Sequence, residues 1–476
     1  MLKRLKFFNL FKLNKLRPYI YLLFISCLLL IGCKIKKFEA LTPNLEGEIP
    51  PDHLFSSQID DHNLSSNLFF QSLGLNDKLM ELIEIGLNEN PGWLARMKSV
   101  ELAKAKAGYF FDESKPQLTT SLGLNSGKEN TRESKFRTQQ TPRWHSRSNF
   151  SWEFDLWGKW ASHKKEAEQY IEAEFHTQNG AQLTLIYEIA NLWYRYLYLN
   201  EDLTLIKNQI KNHHESHILH LYNYHAGLDD NQSLIVMENE IKLLALDYNQ
   251  KKRELSICQT QLSSLLGDPL DFNASNTTLF SEEPIPMPPN ILPTMALKNR
   301  PDILAAQSKL IAHTHHTKAT KLNLYPSINL NLSSVAMTSD LSRPFEQWKI
   351  SGGPTFDIPI WSPQRKTQLA VDKKNLEIME LEWKETILNA IKEVELSLIT
   401  HQSFSEDLKI SQNLEDEYFK LVKLTNYKFE AGLLSKIDLL KKINAAVQAK
   451  RKANAAKLNC FFSFLNLAMS LGVNWA

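Results

Sequence analysis

From Lys159 to Tyr224 the chain runs without a proline, and Gly180 is its only internal glycine. Proline would break a helix by removing a donor and clashing with the preceding turn. At about 1.5 Å per residue a helix over this span reaches roughly 100 Å. A rod of that length bridges a compartment and has no use in a globular enzyme.

The chain is also written twice. Tyr224-His225-Ala226-Gly227-Leu228 returns as Phe429-Glu430-Ala431-Gly432-Leu433, and an offset of about 205 also carries Leu266-Gly267 onto Leu471-Gly472. Asn90-Pro91 answers Arg300-Pro301, Pro116 answers Pro326, and Phe154-Asp155 answers Phe356-Asp357. Landmarks at so steady an offset mark a duplication. Each half reads helix, strand, loop, strand, very long helix, turn, helix. In the second half Ile387, Ile391, Val394, Leu398 and His401 alternate steps of four and three. Leu440, Ile443, Val447, Asn454, Leu458, Phe461 and Leu465 continue that seam in the last helix. This is coiled-coil spacing.

Four segments instead have period two. Leu118, Thr120, Leu122 and Leu124 oppose Gln117, Thr119, Ser121 and Gly123, while Phe150, Trp152, Phe154 and Leu156 oppose Arg147, Asn149, Ser151, Glu153 and Asp155. Ile328, Leu330 and Leu332 oppose Ser327, Asn329, Asn331 and Ser333, and Trp348, Ile350, Phe356 and Ile358 oppose Lys349, Ser351, Thr355 and Asp357. Each is about ten residues, the length of a tilted membrane strand. A small soluble sheet alternates too, but its apolar face needs a helical cover from the same chain. The fold class expected is therefore mainly α with a small β part: long antiparallel coiled-coil helices plus four membrane-spanning strands per chain. Four strands cannot close a barrel, and open edges are not tolerated in lipid, so several chains must share one.

The N-terminus reads as an address. Lys3, Arg4, Lys6, Lys12, Lys15 and Arg17 precede an uncharged run from Tyr19 to Gly32, too short for a mature membrane helix at about 20 residues and suited to a signal peptide. Leu30-Ile31-Gly32-Cys33 resembles a bacterial lipobox, which implies lipidation of Cys33. These six cations account for the net charge of +2, so the mature chain is mildly acidic and no nucleic-acid partner is expected. The expected organisation is a signal peptide over 1–32, a lipidated tether over 33–75, a first repeat over 76–267, a proline-rich extended connector over 268–290 and a second repeat over 291–476. Cys258 and Cys460, the mature cysteines besides Cys33, are expected to be free and helix-packed.

Taken in order, several segments resemble the TolC-like outer membrane efflux family, specifically the NodT/OprM-like lipoprotein branch of RND-type efflux systems. They are Trp152-Glu153-Phe154-Asp155-Leu156-Trp157-Gly158, Asn299-Arg300-Pro301-Asp302-Ile303 running to Leu324-Tyr325-Pro326-Ser327-Ile328, Pro359-Ile360-Trp361, and Ala431-Gly432-Leu433-Leu434-Ser435 with Asp438. The resemblance implies a homotrimer with an α-helical barrel and a shared twelve-stranded β-barrel. It also implies a place in the outer membrane with helices reaching into the periplasm. The expected function is the exit duct of a tripartite efflux system, conducting passively from a periplasmic adaptor and an inner-membrane RND or ABC pump, with no catalysis and no cofactor. It places adaptor contacts at the helix tips, Gly227, Leu228, Gly432 and Leu433, and a periplasmic gate at Asp438, where Lys441 replaces the family's second aspartate. Where the family usually has Asp-Gly-Gly-Arg, this chain has Ser362-Pro363-Gln364-Arg365.

His213, His217 and His220 share one helical face beside His214, and His313, His315 and His316 form a second cluster. Both are read as solvated helix histidines, with no metal site. Two alternatives remain: a periplasmic coiled-coil adaptor or scaffold lipoprotein, which should lack the strands, and a type I secretion outer membrane channel.

Overall fold

The computed structural model describes residues 77–125, 143–267, 279–284, 297–338, 340, 342 and 347–472. The signal segment, the tether and Cys33 lie outside the described residues. The first half contains α1 (Asp77–Glu89), α2 (Pro91–Glu113), β1 (Gln117–Asn125), β2 (Arg143–Phe154), α3 (Lys159–His225) and α4 (Asn231–Leu266). The second contains α5 (Pro301–Leu322), β3 (Ser327–Thr338), β4 (Gln347–Asp357), α6 (Pro363–Glu430) and α7 (Lys436–Ser470). The two longest helices have 67 and 68 residues, and their partners 36 and 35. No helix among the described residues is long and apolar enough to cross a membrane.

Two apolar clusters hold the rods together. The larger joins Leu79 and Ile83 of α1, Ile186, Trp193 and Tyr196 of α3, Leu262 of α4 and Phe461 and Phe464 of α7. Tyr194 stacks on Phe461 with ring centroids 4.2 Å apart. The smaller packs Ile303 and Leu310 of α5 against Leu376, Trp383 and Ile387 of α6. Ile387, Val394, His401, Leu440, Asn454, Leu458, Phe461 and Leu465 are all buried, so the seam read from spacing is the packed one. His401 is held by Ser463 Oγ at 3.0 Å.

The duplication reappears as one joint built twice. Asn90 caps α2 by accepting the Trp93 N–H at 2.8 Å, and its Nδ2 donates to Leu265 O at the end of α4. Arg300, immediately before α5, donates through Nη1 to Ser470 O at the end of α7, 2.7 Å away, and through Nη2 to Glu393 of α6. Gly267 and Gly472 follow those helix ends with positive φ. A Cβ on Gly267 would meet Glu89 O at 2.7 Å, so close chain approach as well as φ requires glycine there.

In the connector, the described residues depart from an extended strap. Phe280–Glu282 form a 3-10 turn, because the fully buried Phe280 ring enters the larger cluster and the Ser281 N–H donates to Glu201. Cys258 and Cys460 are free and buried, and burial pushes the Cys258 thiol up to about 11.

Candidate functional site

The four strands form one antiparallel sheet in the order β1-β2-β3-β4. Its register places Leu118, Phe150 and Leu332 in one row, and Trp152 beside Leu330 in another. The opposite face carries Arg147, Asn149, Ser333 and Lys349, with Ser333 Oγ donating to Asn149 Oδ1 at 2.9 Å and Asn331 Nδ2 to Thr355 Oγ1 at 3.1 Å. No described element covers the apolar face: Leu118 is 71% exposed, Leu122 79%, and Trp348 and Ile350 68% each. A contiguous apolar surface of this kind needs a partner or a bilayer. Among the described residues the outer edges of β1 and β4 have no partner, and unpaired backbone groups in hydrocarbon cost several kcal/mol each. Pro354 sits in β4, an edge strand within the chain, where its missing donor is tolerated.

A compact joint ties the sheet to the rods. Asp155 caps α3 through the Trp160 and Ala161 N–H groups at 3.1 and 2.9 Å. Trp157 Nε1 donates to Pro326 O at 2.7 Å across the two halves. Arg365 donates to Asn323 O and to Asp357 Oδ2. Pro363 occupies the first turn of α6, where its missing N–H costs nothing. The altered Ser-Pro-Gln-Arg segment therefore keeps both its helix start and its arginine clasp.

At the far end the two helix turns have the same geometry. Leu228 N donates to Asn223 O and Gly227 N to Tyr224 O; Leu433 N donates to Lys428 O and Gly432 N to Phe429 O. With φ of 73° and 75° at the two glycines, both are Schellman turns. Leu228 and Leu433 are largely exposed. Asp438 forms a capping pair with Ser435: its N–H donates to Ser435 Oγ at 3.1 Å, and the Ser435 hydroxyl donates to its Oδ2 at 2.7 Å. Among the described residues Asp438 makes no ion pair with Lys441, and both are exposed. Lys436, beside them, reaches Glu215 of α3 at 3.5 Å.

The histidines are less solvated than their positions on helices imply. His213, His217 and His220 are half-buried, and each faces an acid: Glu240 at 3.1 Å, Glu238 at 3.9 Å, and Asp229. They line up along the hairpin of α3 and α4 and do not converge on one point. His313, His315 and His316 are also half-buried. Of these, His316 meets His163 and Glu166 of α3, a grouping that spacing alone could not reveal because the partners lie 150 residues apart.

A sheet with one lipid-compatible face and one polar face, mounted on rods of about 100 Å, has the parts that an outer membrane channel requires. Residues 82–268 and 292–473 match the family described as outer membrane efflux protein. The chain belongs to that family. It is 23% identical over 334 residues to the probable efflux pump outer membrane protein TtgC of Pseudomonas putida, covering 68% of each chain. It is 21% identical to the probable outer membrane lipoprotein SilC of Salmonella typhimurium, covering 84% of this chain and 86% of SilC. Its fold is similar to that of the Campylobacter jejuni CmeC outer membrane channel, with a TM-score of 0.75 at 18% identity over 91% of this chain and 95% of that one. The protein is an outer membrane exit duct.

Proposed function

We propose that three copies of this chain close their four-stranded sheets into one twelve-stranded barrel and their rods into a single tunnel. The apolar face and two edges left open among the described residues carry this reading, since closure is the way a sheet removes its edges in lipid. The polar face, with Arg147, Asn149, Asn331 and Lys349, then lines the water-filled lumen. The duct conducts passively and catalyses nothing; an inner-membrane pump of RND or ABC type supplies energy and selects cargo through a periplasmic adaptor.

The tips at Gly227-Leu228 and Gly432-Leu433 are the adaptor contacts. They are exposed and lie at the far end from the sheet. Three-fold symmetry gathers Asp438 into an acidic ring that narrows the lumen and attracts cations, and the nearby Lys441 tempers that field. Cys33 carries lipid that anchors the chain by buried methylenes, after removal of residues 1–32. Residues 33–75 form the tether, 76–267 and 291–476 the two repeats, and 268–290 the connector.

Purification in mild detergent followed by crosslinking, with reconstitution into planar bilayers, tests the reading. Heat-modifiable trimers and step-like currents are expected; a monomer, or a trimer without currents, refutes it. Asp438→Ala should change conductance or cation preference, and an unchanged channel removes the gate assignment. Cys33→Ser should abolish palmitate labelling, and persistent labelling removes the anchor. Crosslinked pull-down through residues placed at 228 and 433 should capture the adaptor; capture only through other surfaces removes the tip assignment.

A further inference from the structure

His163 stands in the first turns of α3, Glu166 three residues on, and His316 near the end of α5. His163 Nδ1 lies 2.9 Å from Glu166 Oε2, and His316 Nδ1 lies 3.0 Å from Glu166 Oε1. One donor atom from each of the three lies within 4.8 Å of the others. The ring of Phe110 stacks on His163 at 6.2 Å and 12°, which holds the imidazole plane. Behind His316, α6 presents Asp372, only 2% exposed. Asp372 Oδ1 accepts from Gln368 Nε2 at 2.8 Å. Its Oδ2 is buried with no hydrogen-bond partner and stands 3.6 Å from His316 Nε2.

We propose that His163, Glu166 and His316 bind a divalent transition-metal cation of the zinc class, with Asp372 as the carboxylate that orients His316. Two imidazoles and a carboxylate suit zinc and its borderline neighbours, whereas calcium and magnesium require oxygen donors throughout. Ligand atoms about 2.0–2.1 Å from a tetrahedral ion stand roughly 3.4 Å apart, so the cluster needs little closure to hold one. The cation takes the place of the proton on each coordinating Nδ1: an imidazolium gives that proton up to solvent, whereas a neutral imidazole carries it on Nε2 instead. With His316 Nδ1 on the cation, Nε2–H points to Asp372, the usual arrangement of carboxylate, histidine and metal. This supplies the empty oxygen of Asp372 with the donor it lacks. The His316 side chain is 36% exposed, which leaves an approach for water to complete the coordination.

The position gives the site a consequence. It links α3 of the first half to α5 of the second, with α6 behind, a few residues below the joint where α5 passes into β3. A bound cation therefore clamps the two repeats just under the sheet. The three tip histidines, each facing its own acid, share none of this convergence.

The test uses the full chain in detergent, stripped with a chelator and titrated with Zn²⁺ by calorimetry. One ion per chain is expected, with an upward shift in the melting temperature and, for Co²⁺, visible absorption bands of an imidazole-ligated ion. His163→Ala with His316→Ala should abolish uptake, and Asp372→Asn should weaken it about 10- to 100-fold. The triple variant His213→Ala, His217→Ala, His220→Ala should bind as the parent does. Glu166→Gln keeps side-chain size and separates ligation from folding: an unchanged helical spectrum with weakened zinc supports the site. Wild-type protein that takes up no zinc, a double histidine variant with full stoichiometry, or unchanged affinity in Glu166→Gln overturns it.

Discussion

Arg451 of α7 is the residue whose removal tests the packing argument most sharply. Its Nε and Nη2 donate to the two oxygens of Asp202 on α3 at 2.6 and 3.1 Å. Nη2 also reaches Asp247 of α4 at 2.7 Å, and Nη1 reaches Gln209 Oε1 at 3.2 Å. The Asp202 side chain is 1% exposed, whereas that of Asp247 is 33% exposed. Arg451→Met therefore leaves one carboxylate buried without a counter-charge, and that term dominates. The expected loss is about 3–5 kcal/mol, the cost of breaking a buried pair from one side. The half-exposed partner adds under about 1 kcal/mol. Replacing both charges, Asp202→Leu with Arg451→Met, removes the orphan and should return stability to within about 1 kcal/mol of the parent. The assay is denaturant unfolding of detergent-solubilised protein followed by helical circular dichroism, with free energies from linear extrapolation. A coupling energy of about 2 kcal/mol or more is expected from the double-mutant cycle. An Arg451→Met variant that loses less than about 1 kcal/mol, or a double variant no better than the single, refutes the reasoning.

Leu332→Arg, on the uncovered apolar face of a central strand, should cost about 2–4 kcal/mol near mid-bilayer, while Ser333→Arg on the polar face is tolerated. The yield of heat-modifiable trimer in outer membranes checks this, and equal yields contradict the assignment of faces. Gly227→Ala places a side chain at φ 73° in open space and should cost about 1 kcal/mol. Gly267→Ala adds a 2.7 Å approach to Glu89 O and should cost clearly more by the same unfolding assay. Burial holds the His401 imidazole below its ordinary range, so below about pH 6.5 the unfolded chain takes up a proton that the folded chain refuses. Stability should accordingly fall as pH drops through that value, by at most about 1.4 kcal/mol per pH unit for this proton. His401→Gln should flatten the profile by that amount; an unchanged slope contradicts it.

Much of the fold was legible because it rests on local periodicity. The alternation starting at Gln117 ends where β1 ends, at Asn125, and the proline-free run from Lys159 gave the longest first-half helix to within a residue. Period two and period 3.5 are properties of strand and helix backbones themselves, so they survive in a sequence without any knowledge of neighbours. Arg300-Pro301 was legible as a landmark but not as a clasp on Ser470 O. Asp438 reads as a charge in the sequence, and in the chain its N–H is capped by Ser435 Oγ while its carboxylate accepts from that hydroxyl.

The sequence by itself determined that two similar halves of long rods and short two-faced strands would be made, and that their apolar strand faces would need lipid. Only the tertiary structure decided which polar groups meet. Arg451 and Asp202 are 249 residues apart and His316 and Glu166 are 150 apart. Their meeting depends on the rotation and axial stagger of one rod against another. A shift of one residue turns a helix by about 100°, so a periodic pattern that tolerates several staggers leaves these pairings open until the buried aromatic side chains lock one of them.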